Sequence, residues 1–156
     1  MFGKVFAPLK FGVTGPRAVC KAAAGLGFLP HHERRKVMKL CFVVSIGFER
    51  SGSATRAMQF ASLAAEQGHH VEVFLIDDAI HWAQIGMAEG IRSSTGEHMK
   101  DLLDTLIARK TPIHVCKACA DKRLVSPDDL IEGAVISPAP VLVKMMGDPD
   151  YKVFTF

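Results

Sequence analysis

The chain has no apolar run approaching the ~18 residues that a membrane-spanning helix needs, so no membrane span is expected. Its four cysteines in 156 residues are too few for a secreted disulfide scaffold. There is no second Cys-x-x-Cys to complete a four-thiolate zinc site, and no HExxH. The stretch GFERSGSAT (47–55) has the Gly47 to Gly52 spacing of a phosphate loop, but Ser53 stands where the lysine should be. Without that cation a nucleotide triphosphatase is excluded. Internal repeats and low-complexity segments are also missing. What is present is a 49% hydrophobic composition, enough for one domain with a real core.

Charge divides the chain. Residues 1–38 hold seven of the nineteen Lys and Arg and one of the sixteen Asp and Glu. The remaining twelve basic and fifteen acidic residues give 39–156 a net charge of −3. A nucleic-acid surface needs clustered cations to displace counterions, so no nucleic-acid partner is expected. Residues 1–38 are punctuated by Gly and Pro and contain no serine. They fit neither a secretory signal nor a serine-rich transit peptide. They read as an N-terminal extension, poorly ordered or not part of the native chain, with Met38 as the natural start. Without an export signal the cytoplasm is expected, where thiols stay reduced.

From Lys39 the pattern becomes regular. KLCFVVSI (39–46) is a continuous, β-branched apolar run, suited to a strand buried on both faces. Ser53 is placed to cap a helix over 54–67, with Ala57, Phe60, Ala61 and Ala64 as its buried stripe and Gly68 as its stop. A second strand covers 70–77 and a short helix 78–87. Met99, Leu102, Leu103 and Leu106 predict a helix over 97–110. PIHVC (112–116) is a third strand. Ser126-Pro127-Asp128-Asp129 opens a helix running to Glu132. Residues 141–146 fit helix or strand, and YKVFTF (151–156) is a last strand. Alternating strands and helices predict an α/β fold, three α/β/α layers around a mainly parallel sheet of about five strands in a flavodoxin-like arrangement.

The strongest chemical feature is Cys116-Lys117-Ala118-Cys119, at the end of the third strand. Ligands and chemistry collect at that edge of an open sheet. A helix starting near Cys116 would favour a thiolate, and Lys117, Lys122 and Arg123 add positive charge. Two other readings stand beside a reactive pair: structural thiols, or a zinc site completed by His114, His69, His70, His81 or a neighbouring subunit. Arg50 and Ser51 form a weaker candidate for holding an anion at the next helix start. Asp77 and Asp78 read as a helix cap, with an acid or metal role as the alternative. His81 and Trp82 read as an exposed pair suited to subunit contact.

Over residues 39–156 the sequence resembles the DsrE/DsrF-like family, which includes the TusB, TusC and TusD sulfur-relay subunits. The resemblance is carried by KLCFVVSIGFERSGSATRAMQFASLAAEQGHHVEVFLIDDA, by VCKACADKRLV, by DLIEGAVI and by the terminal YKVFTF. It implies a sulfur carrier or sulfurtransferase-like protein, assembled as a trimer or hexamer or with relatives, receiving sulfane sulfur from a donor protein and passing it to an acceptor. The persulfide position corresponds to Cys116, and Cys119 to a second cysteine of other members. Lys117 and Arg123 would then stabilise the thiolate. No cofactor and no metal is implied. The resemblance departs at Leu124, where a glycine is usual, and at CKAC, whose middle is less rich in small residues than in many relatives.

Overall fold

A computed structural model describes residues 36–156. The expectations for the extension fall almost wholly outside the described residues. Five strands form one sheet: β1 (Lys39–Val44), β2 (His70–Leu75), β3 (Ile113–Cys116), β4 (Ala134–Ser137) and β5 (Tyr151–Thr155). Their order is β4-β3-β2-β1-β5, and every pairing is parallel. The strands are near-continuous apolar runs because both faces of the central ones are covered.

One face carries α1 (Ser51–Glu66) and α2 (Met99–Ala108). Leu40, Phe42, Val44, Val73 and Leu75 point to it and meet Ala54, Ala57, Met58, Ala61, Met99 and Leu106. The small side chains of α1 let that helix lie close to the sheet. Met99, Leu102, Leu103 and Leu106 are buried as their spacing requires, each contributing about 1.5–3 kcal/mol of transfer free energy. The helix α3 (Lys117–Arg123) joins this core through Ala120. The opposite face carries α4 (Ala139–Gly147), whose Met145 packs on Cys41, Val43 and Phe74.

That second face also holds a polar network. Glu72 accepts hydrogen bonds from His114 Nε2 at 2.9 Å, from His70 Nε2 at 3.2 Å and from the Tyr151 hydroxyl. His114 Nδ1 lies 2.8 Å from the Ser137 hydroxyl. Burial alone would raise the Glu72 carboxyl, but the bonds from Tyr151, His114 and His70 outweigh it and hold it below its usual range. Among the described residues no buried side-chain polar atom lacks a partner.

Several local expectations change. Helix α1 begins at Ser51, with Arg50 before it and no side-chain cap, so Ser53 lies inside the helix. Phe60 is 45% exposed and leaves the buried stripe to Ala54 and Met58. The segment after β2 is a 3-10 turn over Asp77–Ala83. Ser126 and Asp129 do form a capping box, but the helix ends after Pro127–Asp129. Its continuation is extended because Ile131 N–H donates to Ala83 O at 2.8 Å and Leu130 pairs with Gln84. The chain then forms β4, a strand the sequence pattern did not reveal.

Candidate functional site

The carboxyl ends of β2 and β3 bring the chemistry together. β3 ends at Cys116, which is also the residue before the first turn of α3. Strand alternation turns Cys116 toward the α4 face, where it packs beside the cluster of Cys41, Val43 and Phe74. Cys119, three residues later, packs instead against the α1/α2 core. Both are free thiols, half-buried and open to solvent.

Cys119 is gripped by Asp77. The Asp77 backbone N–H donates to Cys119 Sγ at 3.1 Å, and the Cys119 thiol lies 4.0 Å from Asp77 Oδ1. Asp77 stands at φ 47°, in the left-handed region that disfavours side chains other than Gly, Asn and Asp. Burial, followed by the hydrogen bond to Cys116 and the charge of that neighbour, raises the Cys119 thiol above its ordinary value. The Asp77 amide opposes this without reversing it.

Both proposed cations have carboxylate partners. Lys117 Nζ binds Asp121 at 2.7 Å, one helical turn away. Arg123 Nε binds Asp78 Oδ1 at 3.1 Å, and its Nη2 contacts the same oxygen. The guanidinium holds the Asp78 carboxyl below its usual range through hydrogen bonding and charge. Arg123 remains near enough to Cys119 for the two charges to interact. Its field at the sulfur is partly cancelled by Asp78, so Arg123 also serves to tie α3 to the turn after β2.

That turn is fixed from below. Trp82, expected to be exposed, is fully buried, and its Nε1–H donates to Ile46 O at 2.8 Å. Phe48 packs edge-on against it at 4.5 Å. The apolar indole fits the core once its single donor is satisfied, which an alternation argument cannot foresee. Gly47 is packed so tightly that a Cβ there would lie 2.8 Å from Asp78 Cβ. Asp77 and Asp78 thus act within the cysteine site, whereas Ile76 is the residue before the 3-10 turn. Arg50 and Ser51 open α1 beyond the end of β1, separated from β3 by β2. Neither hydrogen-bonds to a cysteine among the described residues. His69, His70 and His81 make their hydrogen bonds with Met38 N–H, Glu72 and Gln84 rather than with a cysteine, and His114 is engaged by Glu72 and Ser137. Among the described residues no group of three or more His, Cys, Asp or Glu has the arrangement to hold a metal ion.

Two free, half-buried cysteines stand together at the carboxyl ends of the strands, one of them held by Asp77. Residues 38–156 match the DsrE/DsrF-like family. The protein YchN of Escherichia coli K12 is 30% identical over 108 residues, covering 68% of this chain and 88% of that protein. A protein of Methanopyrus kandleri, MK0008, is 27% identical over 101 residues, covering 65% and 80%. The crystal structure of the E. coli ychN protein superposes with a TM-score of 0.64 at 26% identity, over 77% of this chain and all of that one. MTH1491 of Methanobacterium thermoautotrophicum, at 11% identity and TM-score 0.55 over 76% and 99%, shares the fold. Among the described residues no helix is long and apolar enough to cross a membrane.

Proposed function

Because the chain belongs to the DsrE/DsrF-like family, we propose that it carries sulfane sulfur as a persulfide on Cys116 and hands it to a partner protein. The observation that carries this reading is the asymmetry of the pair. Cys116 Sγ, where β3 passes into α3, has no hydrogen-bond partner other than Cys119 among the described residues, whereas the Cys119 sulfur is tied to the Asp77 backbone N–H at 3.1 Å and faces its carboxylate. Attack by the Cys116 thiolate on the outer sulfur of a donor persulfide forms Cys116–S–S–H and releases the donor thiol. The reverse exchange with an acceptor thiolate delivers the sulfur. Lys117 and Arg123 contribute a positive field reduced by Asp121 and Asp78. The chemistry suits a compartment that keeps thiols reduced, such as the cytoplasm.

Brief incubation of the full chain, in a Cys20→Ser background, with a persulfide donor is expected to add about 32 Da, one sulfur atom, lastingly to Cys119→Ser and transiently to the chain that keeps both Cys116 and Cys119. Cys116→Ser is expected to gain nothing under the same conditions. An equal gain in Cys116→Ser would move the carrier role to Cys119.

The same reading includes an oligomer. Among the described residues α4 is the one helix on its face, and its Val143 and Met146 are 63% and 53% exposed, as is Val135 of β4 at 50%. A helix apolar on several sides is buried by something. Light scattering is expected to show three or six chains per particle, and Val143→Asp with Met146→Asp to lower that number. A monomeric wild type would contradict it.

A further inference from the structure

Asp77 does more at this site than end a strand. It touches one sulfur with two different groups, a backbone donor at 3.1 Å and a carboxylate oxygen at 4.0 Å. The contact depends on the left-handed backbone at Asp77, φ 47°, a conformation that costs free energy for a residue with a side chain. The cost is tolerated because neighbours fix the turn: Trp82 anchors it in the core, Gly47 presses on Asp78, and Arg123 binds Asp78 across to α3. Asparagine or glycine would suit the backbone at least as well, so the carboxylate is not explained by the turn.

We propose that Asp77 is the general base that activates Cys119 for attack on a sulfur bound to Cys116. The inference rests on the persulfide reading above and gives Cys119 its role. The Asp77 carboxylate takes the proton from the Cys119 thiol. The new thiolate attacks Cys116 Sγ of Cys116–S–S–H. The Sγ–S bond breaks, its electron pair leaves with the outer sulfur as HS⁻, and a Cys116–Cys119 disulfide forms. The two cysteine sulfurs are oxidised and the sulfane sulfur is reduced to sulfide. The proton leaves Asp77 for solvent, and a dithiol reductant returns the disulfide to the starting thiols. A base is needed because Cys119 sits above its ordinary ionisation range, held there by burial and by Cys116. Other titratable groups around it are committed or more distant. Asp78 and Arg123 bind each other, Lys122 and His81 act on Asp78, and Glu49 accepts from Gly47 N–H on the β1–α1 turn.

The test uses the full chain with Cys20→Ser as background and dithiobis(nitrobenzoate) as the probe. Cys41 is fully buried. Cys116 should release one nitrothiobenzoate on forming the mixed disulfide, and Cys119 a second on displacing the other. In Asp77→Asn and in Asp77→Gly, which keeps the N–H and the positive φ, the first phase should persist. The second should slow at least about tenfold near neutral pH, with the gap closing as pH rises and Cys119 ionises unaided. An unchanged second phase in both variants would overturn the proposal. So would equal slowing at every pH, or slowing in Asp77→Asn alone, since either marks a loss of geometry rather than of a base. The aryl probe needs no persulfide. A wild type that takes up no sulfur yet shows the Asp77-dependent second phase would refute the carrier reading and leave the base in place.

Discussion

Trp82→Ala should be the most destabilising single truncation in the domain, costing about 3–5 kcal/mol. The indole is fully buried, so its removal leaves a cavity that neighbours on a rigid sheet cannot fill. The Ile46 carbonyl also loses the donor that reached it at 2.8 Å, and Phe48 loses its aromatic partner. A loss of that size is a large share of the stability of an ordinary domain. Its consequence reaches function because the same 3-10 turn carries Asp77 and Asp78. Urea denaturation of Trp82→Ala, followed by far-ultraviolet circular dichroism, should show a much lower midpoint. Trp82→Phe should recover most of the packing but not the hydrogen bond. A change below about 1 kcal/mol in Trp82→Ala would mean that the indole does not hold the turn as described.

The second large effect is alkaline. Burial, assisted by the charge of Glu72, pushes the Cys41 thiol from 9.0 up to about 12. The sign follows from proton counting. Below pH 9 both folded and unfolded chains hold this proton, and the contribution is fully present. Between pH 9 and 12 the unfolded chain releases it while the folded chain retains it, so stability falls as pH rises. The slope is about 1.4 kcal/mol per pH unit, near 4 kcal/mol over the whole window. Tyr151, raised by burial and by its bond to Glu72, acts in the same direction at higher pH. Denaturation curves at stepped alkaline pH should therefore show wild type losing stability faster than Cys41→Ala, whose curve lacks this component. Parallel losses in the two proteins would show that Cys41 titrates normally.

The parallel sheet and the two large helices were legible because their signals are redundant. β1 and β2 are long β-branched runs, and four apolar side chains of α2 fall on one stripe. The cysteine edge was legible for the same reason: PIHVC had to be a strand, so the pair had to follow its end. β4 was not legible. Its four residues are too few to show a period, and the preceding Ser-Pro-Asp-Asp announces a helix that Ala83 and Gln84 cut short by pairing with 130–131. The grip of Asp77 on Cys119 was hidden for a different reason. It depends on a backbone angle and a contact across 42 residues, neither of which leaves a local pattern. Charge was misleading in part. Lys117 and Arg123 stand beside the cysteines in sequence, but in space each answers first to a carboxylate. Trp82 is the plainest reversal, because a tryptophan beside a histidine after two aspartates gives no sign of the Ile46 carbonyl that lets it be buried.

Lys117 lies between the two thiols, so trypsin separates them, leaving Cys116 in the peptide TPIHVCK (111–117) and Cys119 in ACADK (118–122). After brief exposure of the wild-type chain to a persulfide donor and alkylation, peptide mass spectrometry should find the extra sulfur, about 32 Da, on TPIHVCK and not on ACADK. Extra sulfur on ACADK alone, or on neither peptide while both thiols remain free, would contradict the assignment of Cys116 as the carrier.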